Sequence, residues 1–148
     1  MHRTVLAPDK SCAEKSGLAP CDKTRVLIAD DEGCIVQLFE MILSEAIPCI
    51  HFDRAYNGEE AVRAFEPAHH AVLLLDLHMP VMDGGMAFQK IRQMCRAKGW
   101  KMPAVIFCTG FVPSDSIREV VARNPDHGLL SKPVSERDLV EAVRSRLG

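Results

Sequence analysis

From Arg25 to the last residues, apolar and polar positions alternate in a regular pattern. RVLIADD is a short apolar run that stops on two acids, the pattern of a buried strand reaching a sheet edge. Ile35, Leu38, Phe39 and Ile42 then fall at i, i+3, i+4 and i+7, which predicts an amphipathic helix with these four facing inward. After Pro48, CIHFDRA predicts a second, shorter strand. Asn57 with Glu60 three residues later starts a helix whose inner face is Ala61, Val62 and Phe65. AVLLLD is a third strand, in which five apolar residues lead straight into Asp76. Gly84 or Gly85 opens a helix that turns Phe88, Ile91, Met94 and Cys95 inward. PAVIFCT predicts a fourth strand, and Ser114 or Asp115 caps a helix with Ile117, Val120 and Val121 on one side. GLLS gives a brief fifth strand. Ser135 and Asp138 form an S-x-x-D cap for a last helix through Leu139, Val140, Val143 and Leu147.

Five strands alternating with five helices place the chain in the α/β class. Strands of nearly continuous apolar character separated by helices require a doubly wound parallel sheet, covered on both faces and joined by right-handed crossovers. In such sheets the site lies beyond the carboxyl ends of the strands. Residues 1–23 carry no sustained period and read as a flexible leader, with a short helix through Ala13–Leu18 as the alternative; residues 24–148 read as one domain.

Composition narrows the function classes. The formal net charge of -2 gives no reason to expect nucleic acid or an anionic membrane as a partner. No apolar run approaches the ~20 residues that span a bilayer, and the N-terminus lacks the apolar core of a secretory signal, so a cytoplasmic location is expected. Of six cysteines, Cys34, Cys49, Cys95 and Cys108 sit in apolar segments and only Cys12 and Cys21 in a polar one; with no C-x-x-C pair, reduced thiols are expected and a zinc site is not.

The strand ends carry the chemistry. Strand one ends in Asp30-Asp31, strand three in Asp76, strand four in Thr109 and strand five in Lys132. If the strands lie side by side, these side chains converge on one edge. Three crowded carboxylates repel unless a cation is present, and a set of hard oxygen ligands suits Mg²⁺.

VLIADDE, LLLDLHMPVMDG, FCTG and LLSKP, in that order, resemble the response-regulator receiver domain of bacterial two-component signalling. The resemblance covers Arg25 to Gly148, with intervals of 45 residues from Asp31 to Asp76, 33 to Thr109 and 23 to Lys132. It implies a flavodoxin-like strand order 2-1-3-4-5. Asp76 matches the phosphoacceptor. Asp31 and Asp76, with the backbone carbonyl of His78, match the Mg²⁺ ligands, and Asp30 the acid that holds metal-bound water. Lys132 would pair with the acceptor carboxylate and then with a phosphoryl oxygen. Thr109 matches the switch hydroxyl, Gly110 leaves room for the phosphodonor, and Pro133 matches a proline that is usually cis. The implied donor is a sensor histidine kinase or histidine phosphotransfer protein. The chain would not be an enzyme beyond assisting its own phosphorylation and dephosphorylation. Output is expected through an unidentified protein partner on the last two helices and strand five; homodimerisation on phosphorylation is left open.

Three positions depart from the family pattern or bear on its kinetics. Leu129 stands where the family commonly has an aromatic residue that rotates as the hydroxyl moves. His78 and Phe111 sit two residues past the acceptor and the threonine, where they border the path of hydrolytic water, so Phe111 is expected to shield the phosphoryl group. Elsewhere the plainer readings are preferred. His69-His70 is expected to be a solvated turn, Asp83 turn chemistry at a helix mouth without a catalytic role, and Trp100 a loop residue covering a helix end. Two competing functions differ in class. One is a constitutive, non-phosphorylated pseudo-receiver, against which the complete set of acids, threonine and lysine argues. The other is a Mg²⁺-dependent phosphohydrolase, which would need a second acid near the nucleophile and a cap domain; the sequence offers neither.

Overall fold

The computed structural model describes residues 22–147. The elements alternate as β1 (Asp22–Ala29), α1 (Gly33–Ala46), β2 (His51–Ala55), α2 (Gly58–Ala68), β3 (His70–Asp76), α3 (Gly84–Lys98), β4 (Ala104–Thr109), α4 (Asp115–Arg123), β5 (Gly128–Ser131) and α5 (Glu136–Arg144). All five strands are parallel, in the order β2-β1-β3-β4-β5. This is the expected doubly wound, flavodoxin-like α/β sheet. β1 starts at Asp22, two residues ahead of the boundary read from periodicity, and its register against β3 shifts between Asp22 and Val26. The suggested helix over Ala13–Leu18 lies outside the described residues. Among these, no helix is long and apolar enough to cross a membrane.

The core has two halves because successive strand residues face opposite sides of the sheet. Leu27, Leu73, Leu75 and Phe107 pack under α2, α3 and α4 with Phe65, Phe88 and Ile91. Val26, Ile28, Val72, Leu74 and Ile106 pack under α1 and α5 with Val36, Phe39, Leu43, Leu139 and Val143. The inward face of α1 differs from the expected stripe. Val36 and Leu43 take core positions, while Leu38 stays 42% exposed and Ile35 only half-buried. A stripe of four apolar residues fixes a helix face only to within about one residue, and α1 carries apolar residues on both sides of it.

Helix starts follow the sequence signals. The side chains of Asn57, Asp83, Ser114 and Ser135 accept hydrogen bonds from the backbone N–H groups of Glu60, Met86, Ile117 and Asp138. Asp83 is thus the turn residue expected of it. Trp100 covers the end of α3: its backbone N–H bonds to Cys95 O at 2.9 Å, and its ring lies 4.0 Å from that of His69.

Two expectations are overturned. His70 is not in a solvated turn but is the buried first residue of β3, its Nε2 2.7 Å from Asp53 Oδ2. His69 alone occupies the turn, as the left-handed cap of α2. Adjacent histidines were thereby divided between a helix cap and a strand, a boundary that their residue type does not mark. Cys34, Cys95 and Cys108 are free thiols, as expected, but Cys49 is disulfide-bonded rather than reduced. Its place in an apolar run gave no sign of this.

His127 is a second buried histidine. Its Nδ1 accepts the N–H of Val105 at 3.0 Å, joining the α4–β5 loop to the start of β4. Burial lowers its pKa below the usual 6.5, assisted by Arg146 and Arg92 and opposed by Asp126. A depressed folded-state pKa contributes stability above pH 6.5 that is lost as pH falls through the folded value. His127→Asn keeps an acceptor without the proton affinity. Its stability in urea titrations should therefore fall less steeply than that of wild type as pH is lowered from 6.5; parallel profiles would show that His127 does not set this dependence.

Candidate functional site

The parallel register brings the strand ends to one level. Ala29 pairs with Leu75, so Asp30 and Asp76 leave adjacent strands side by side. Asp76 pairs with Cys108, and Thr109 with Ser131, so the threonine and Lys132 follow one step further along the same edge. Carboxylate oxygens of Asp30, Asp31 and Asp76 all lie within 4.8 Å of one another. Asp30 and Asp76 are buried, and Asp31 is exposed.

Lys132 holds this cluster together. Its Nζ is 2.7 Å from Asp30 Oδ2 and 3.4 Å from Asp76 Oδ2. The shorter contact is thus with Asp30, not with Asp76 alone as the resemblance suggested. The second oxygens are occupied by backbone donors. Asp30 Oδ1 accepts the N–H of Glu32 at 2.9 Å, and Asp76 Oδ1 accepts that of His78 at 3.2 Å. The lysine's own backbone N–H bonds to Thr109 O at 2.8 Å, and the Lys132–Pro133 peptide is cis, as expected.

These contacts shift two ionisations. Burial raises the Asp76 pKa above its ordinary value, and Asp30 adds to this; the His78 N–H and Lys132 oppose it. Burial alone would lower the Lys132 pKa, but its bond to Asp30 and the two carboxylate charges overcome that and raise it. Burial thus dominates the shift of Asp76, and the neighbouring carboxylates dominate that of Lys132. Three carboxylates with converging oxygens form an all-oxygen donor set, with one wall open at Asp31, that fits a hard divalent cation.

The loops above the cluster complete the site. Gly84 lets α3 start against β3, since a Cβ there would collide with the Asp76 carbonyl. Gly110 has no such constraint: a Cβ would meet nothing nearer than Lys132 Cβ at 3.9 Å, so the fold itself does not require glycine there. Thr109 is buried, and its Oγ1 donates to Phe111 O at 3.3 Å while accepting the Phe111 N–H at 3.0 Å. The Phe111 ring is 68% exposed and meets that of His78 edge-on at 4.5 Å. Leu129, level with Phe107 on β5, is half-buried against the core. The structure therefore brings Asp30, Asp31, Asp76, Lys132 and Thr109 together, with His78, Gly110 and Phe111 at the rim and Leu129 below the edge. The Glu32 N–H that orients Asp30 had no signal in the sequence, because any residue could supply it.

The doubly wound parallel sheet thus carries, at its carboxyl edge, an acid cluster braced by a lysine. The family model of the response regulator receiver domain matches residues 26–144, and the chain belongs to that family. Phosphorylation and Mg²⁺ binding at an acidic pocket are typical of its members. The chain is 29% identical over 126 residues to the transcriptional regulatory protein ResD of Bacillus subtilis, covering 85% of this chain and 49% of ResD. It is 26% identical over 119 residues to the chemotaxis protein CheY of Halobacterium salinarum, covering 80% of this chain and 92% of that protein. It also matches the crystal structure of a CheY-like receiver domain protein from Methanospirillum hungatei, at 26% identity and a TM-score of 0.67, over 84% of this chain and 93% of the other. Of several other curated relatives, as of ResD, the chain spans about half the length or less.

The raised pKa of Asp76 has a consequence for stability. A carboxyl whose folded pKa lies above its unfolded value destabilises the folded state when ionised and ceases to do so once protonated. In buffer without divalent cations, Asp76→Asn should therefore be more stable than wild type at pH 7. The difference should shrink as pH falls through the raised folded pKa and be gone below the ordinary value of 3.8. Thermal melts of both proteins across this range check it, and a variant less stable than wild type at pH 7 would contradict it.

Proposed function

We propose that this receiver domain accepts a phosphoryl group on Asp76 from the phosphohistidine of a sensor kinase or phosphotransfer protein. The observation that carries the proposal is the convergence of Asp30, Asp31 and Asp76 at two adjacent strand ends, with the ammonium of Lys132 on Asp30 and Asp76. An Asp76 carboxylate oxygen attacks phosphorus, the phosphorus–nitrogen bond of the donor breaks, and its electron pair leaves with the imidazole. Asp30, Asp31 and Asp76, with the backbone carbonyl of His78, are the residues that would hold Mg²⁺. When bound, that ion neutralises charge on the transferring phosphoryl oxygens. The rigid end of β3 fixes the nucleophile in direction, and Lys132 exchanges its weaker contact with Asp76 for a phosphoryl oxygen.

Thr109 supplies the switch in this reading. Its hydroxyl is held by the backbone of Phe111, and an aspartyl phosphate offers it a stronger, charged acceptor. Moving the hydroxyl releases the loop before α4 and changes the surface that α4, β5 and α5 present to an output protein. Leu129 makes this a switch without an aromatic ring beneath it: the side chain can repack but brings no phenolic hydrogen bond. Gly110 leaves the mouth of the site open to the donor. The protein acts on itself and has no external substrate, and it works in the cytoplasm, where sensor kinases present their phosphohistidine.

Intact mass after incubation with Mg²⁺ and a small acyl phosphate tests the assignment. Wild type should gain one phosphoryl group, and Asp76→Asn none. If wild type gains none and also fails to bind a phosphate-mimicking fluoride complex in a Mg²⁺-dependent way, the domain is a constitutive interaction module instead.

The His78–Phe111 pair bears on how long the phosphoryl group lasts. The exposed Phe111 ring stands edge-on to His78 over the approach to the acceptor, where it would obstruct an attacking water. Phe111→Ala should lose phosphate faster than wild type, by roughly tenfold if the ring contributes about 1.4 kcal/mol to the barrier. An unchanged rate of mass loss after donor removal would count against shielding.

A further inference from the structure

A groove of about 470 Å³ separates α3 from α4, lined by residues distinct from the acid cluster. Gln89, Arg92 and Arg96 line its α3 wall at i, i+3 and i+7 along one helix face, and Glu119 and Arg123 line its α4 wall. Arg92 lies over the Phe88 ring at 5.1 Å and donates to Gln89 Oε1 at 2.6 Å. Among the described residues neither Arg92 nor Arg96 makes an ion pair. Arg123 approaches Glu119 at 3.6 Å, but both side chains are mostly exposed, and such a pair holds its guanidinium weakly. The concave surface thus carries three guanidiniums, two on the α3 wall and one on the α4 wall, against one carboxylate. At one end of the groove are Trp100 and Met102, both half-buried against the core. Lys98 lies 4.9 Å from the Trp100 ring beside that end, but its ammonium is paired with Glu66 at 3.3 Å and adds no free charge.

Charge and size together specify the ligand. Guanidiniums present planar donor pairs that match phosphate, and Trp100 and Met102 add apolar lining at one end of the groove that a ring could cover, although His69 and Lys98 already lie against the indole. From Gln89 to Arg96 the wall runs only ~10 Å at 1.5 Å per residue, too short to seat a partner helix. The volume falls in the ~300–1,000 Å³ range of small-molecule sites. We propose that the α3–α4 groove binds a phosphorylated small molecule with a planar ring, the size of a nucleoside monophosphate. Its phosphate lies among Arg92, Arg96 and Arg123, and its ring lies against Trp100 and Met102. The site is independent of the acceptor chemistry, since none of these residues belongs to the acid cluster.

Trp100 is the chain's single tryptophan and lines the groove, so its fluorescence responds to a ligand bound there, and the arginine variants separate that response from changes at the His69 side of the ring. GMP is titrated into the full chain in EDTA, with guanosine and inorganic phosphate as separate arms, and circular dichroism confirms that each variant is folded. The expected result is saturable quenching by GMP, with Arg92→Gln and Arg123→Gln each weakening binding roughly tenfold, as loss of a charged hydrogen bond implies. Asp76→Asn should bind like wild type. Quenching that does not saturate, or that is unchanged in both arginine variants, would overturn the proposal. Guanosine or phosphate alone binding as tightly as GMP would overturn the assigned ligand class.

Discussion

The ammonium of Lys132 sits between two buried carboxylates, 2.7 Å from Asp30 and 3.4 Å from Asp76, and the arrangement of the sheet edge depends on it. A parallel sheet that ends three strands at the same level must bring together whatever side chains stand there. With Asp30, Asp31 and Asp76 those side chains repel, and burial of two of them increases the cost. One lysine from the far strand offsets part of it, 102 residues away in sequence from Asp30. The remainder shows in the raised pKa of Asp76, a carboxylate held, chiefly by burial, in an environment that disfavours its charge. Arrival of further positive charge, or transfer of charge onto a phosphoryl group, would relieve the same cost. The proposed cation binding and the proposed readiness for phosphoryl transfer thus have one electrostatic origin.

The rest of the fold keeps that edge in place. Strands with apolar residues on both faces anchor β1, β3 and β4 in two packed halves of the core, so that only their C-terminal ends are free for chemistry. Gly84 lets α3 begin directly against Asp76, and Asp83 caps it there. The same β4 strand serves two regions. Thr109 at its end accepts the backbone N–H of Lys132, the lysine of the acid cluster, through its carbonyl, and Phe107, two residues earlier, packs edge-on against Phe88, which lines the arginine groove.

The sequence by itself determined the α/β class, the five strands and five helices, the helix caps at Asn57 and Ser135, and the residues that end each strand, and it narrowed the cap of α4 to Ser114 or Asp115. These are local properties: periodicity, cap chemistry and the place where an apolar run stops. Fourfold agreement of strand-end motifs also identified Asp30, Asp31, Asp76, Thr109 and Lys132 as one set before any coordinates. Tertiary structure decided what depends on which elements become neighbours. It rotated the inward face of α1 away from Leu38, because the sheet selected Val36 and Leu43 instead. It buried His70 against Asp53, made Lys132 a closer partner of Asp30 than of Asp76, and set Arg123 opposite Arg92 and Arg96. Each of these pairs joins residues distant in sequence, and only packing fixes the direction and distance between them.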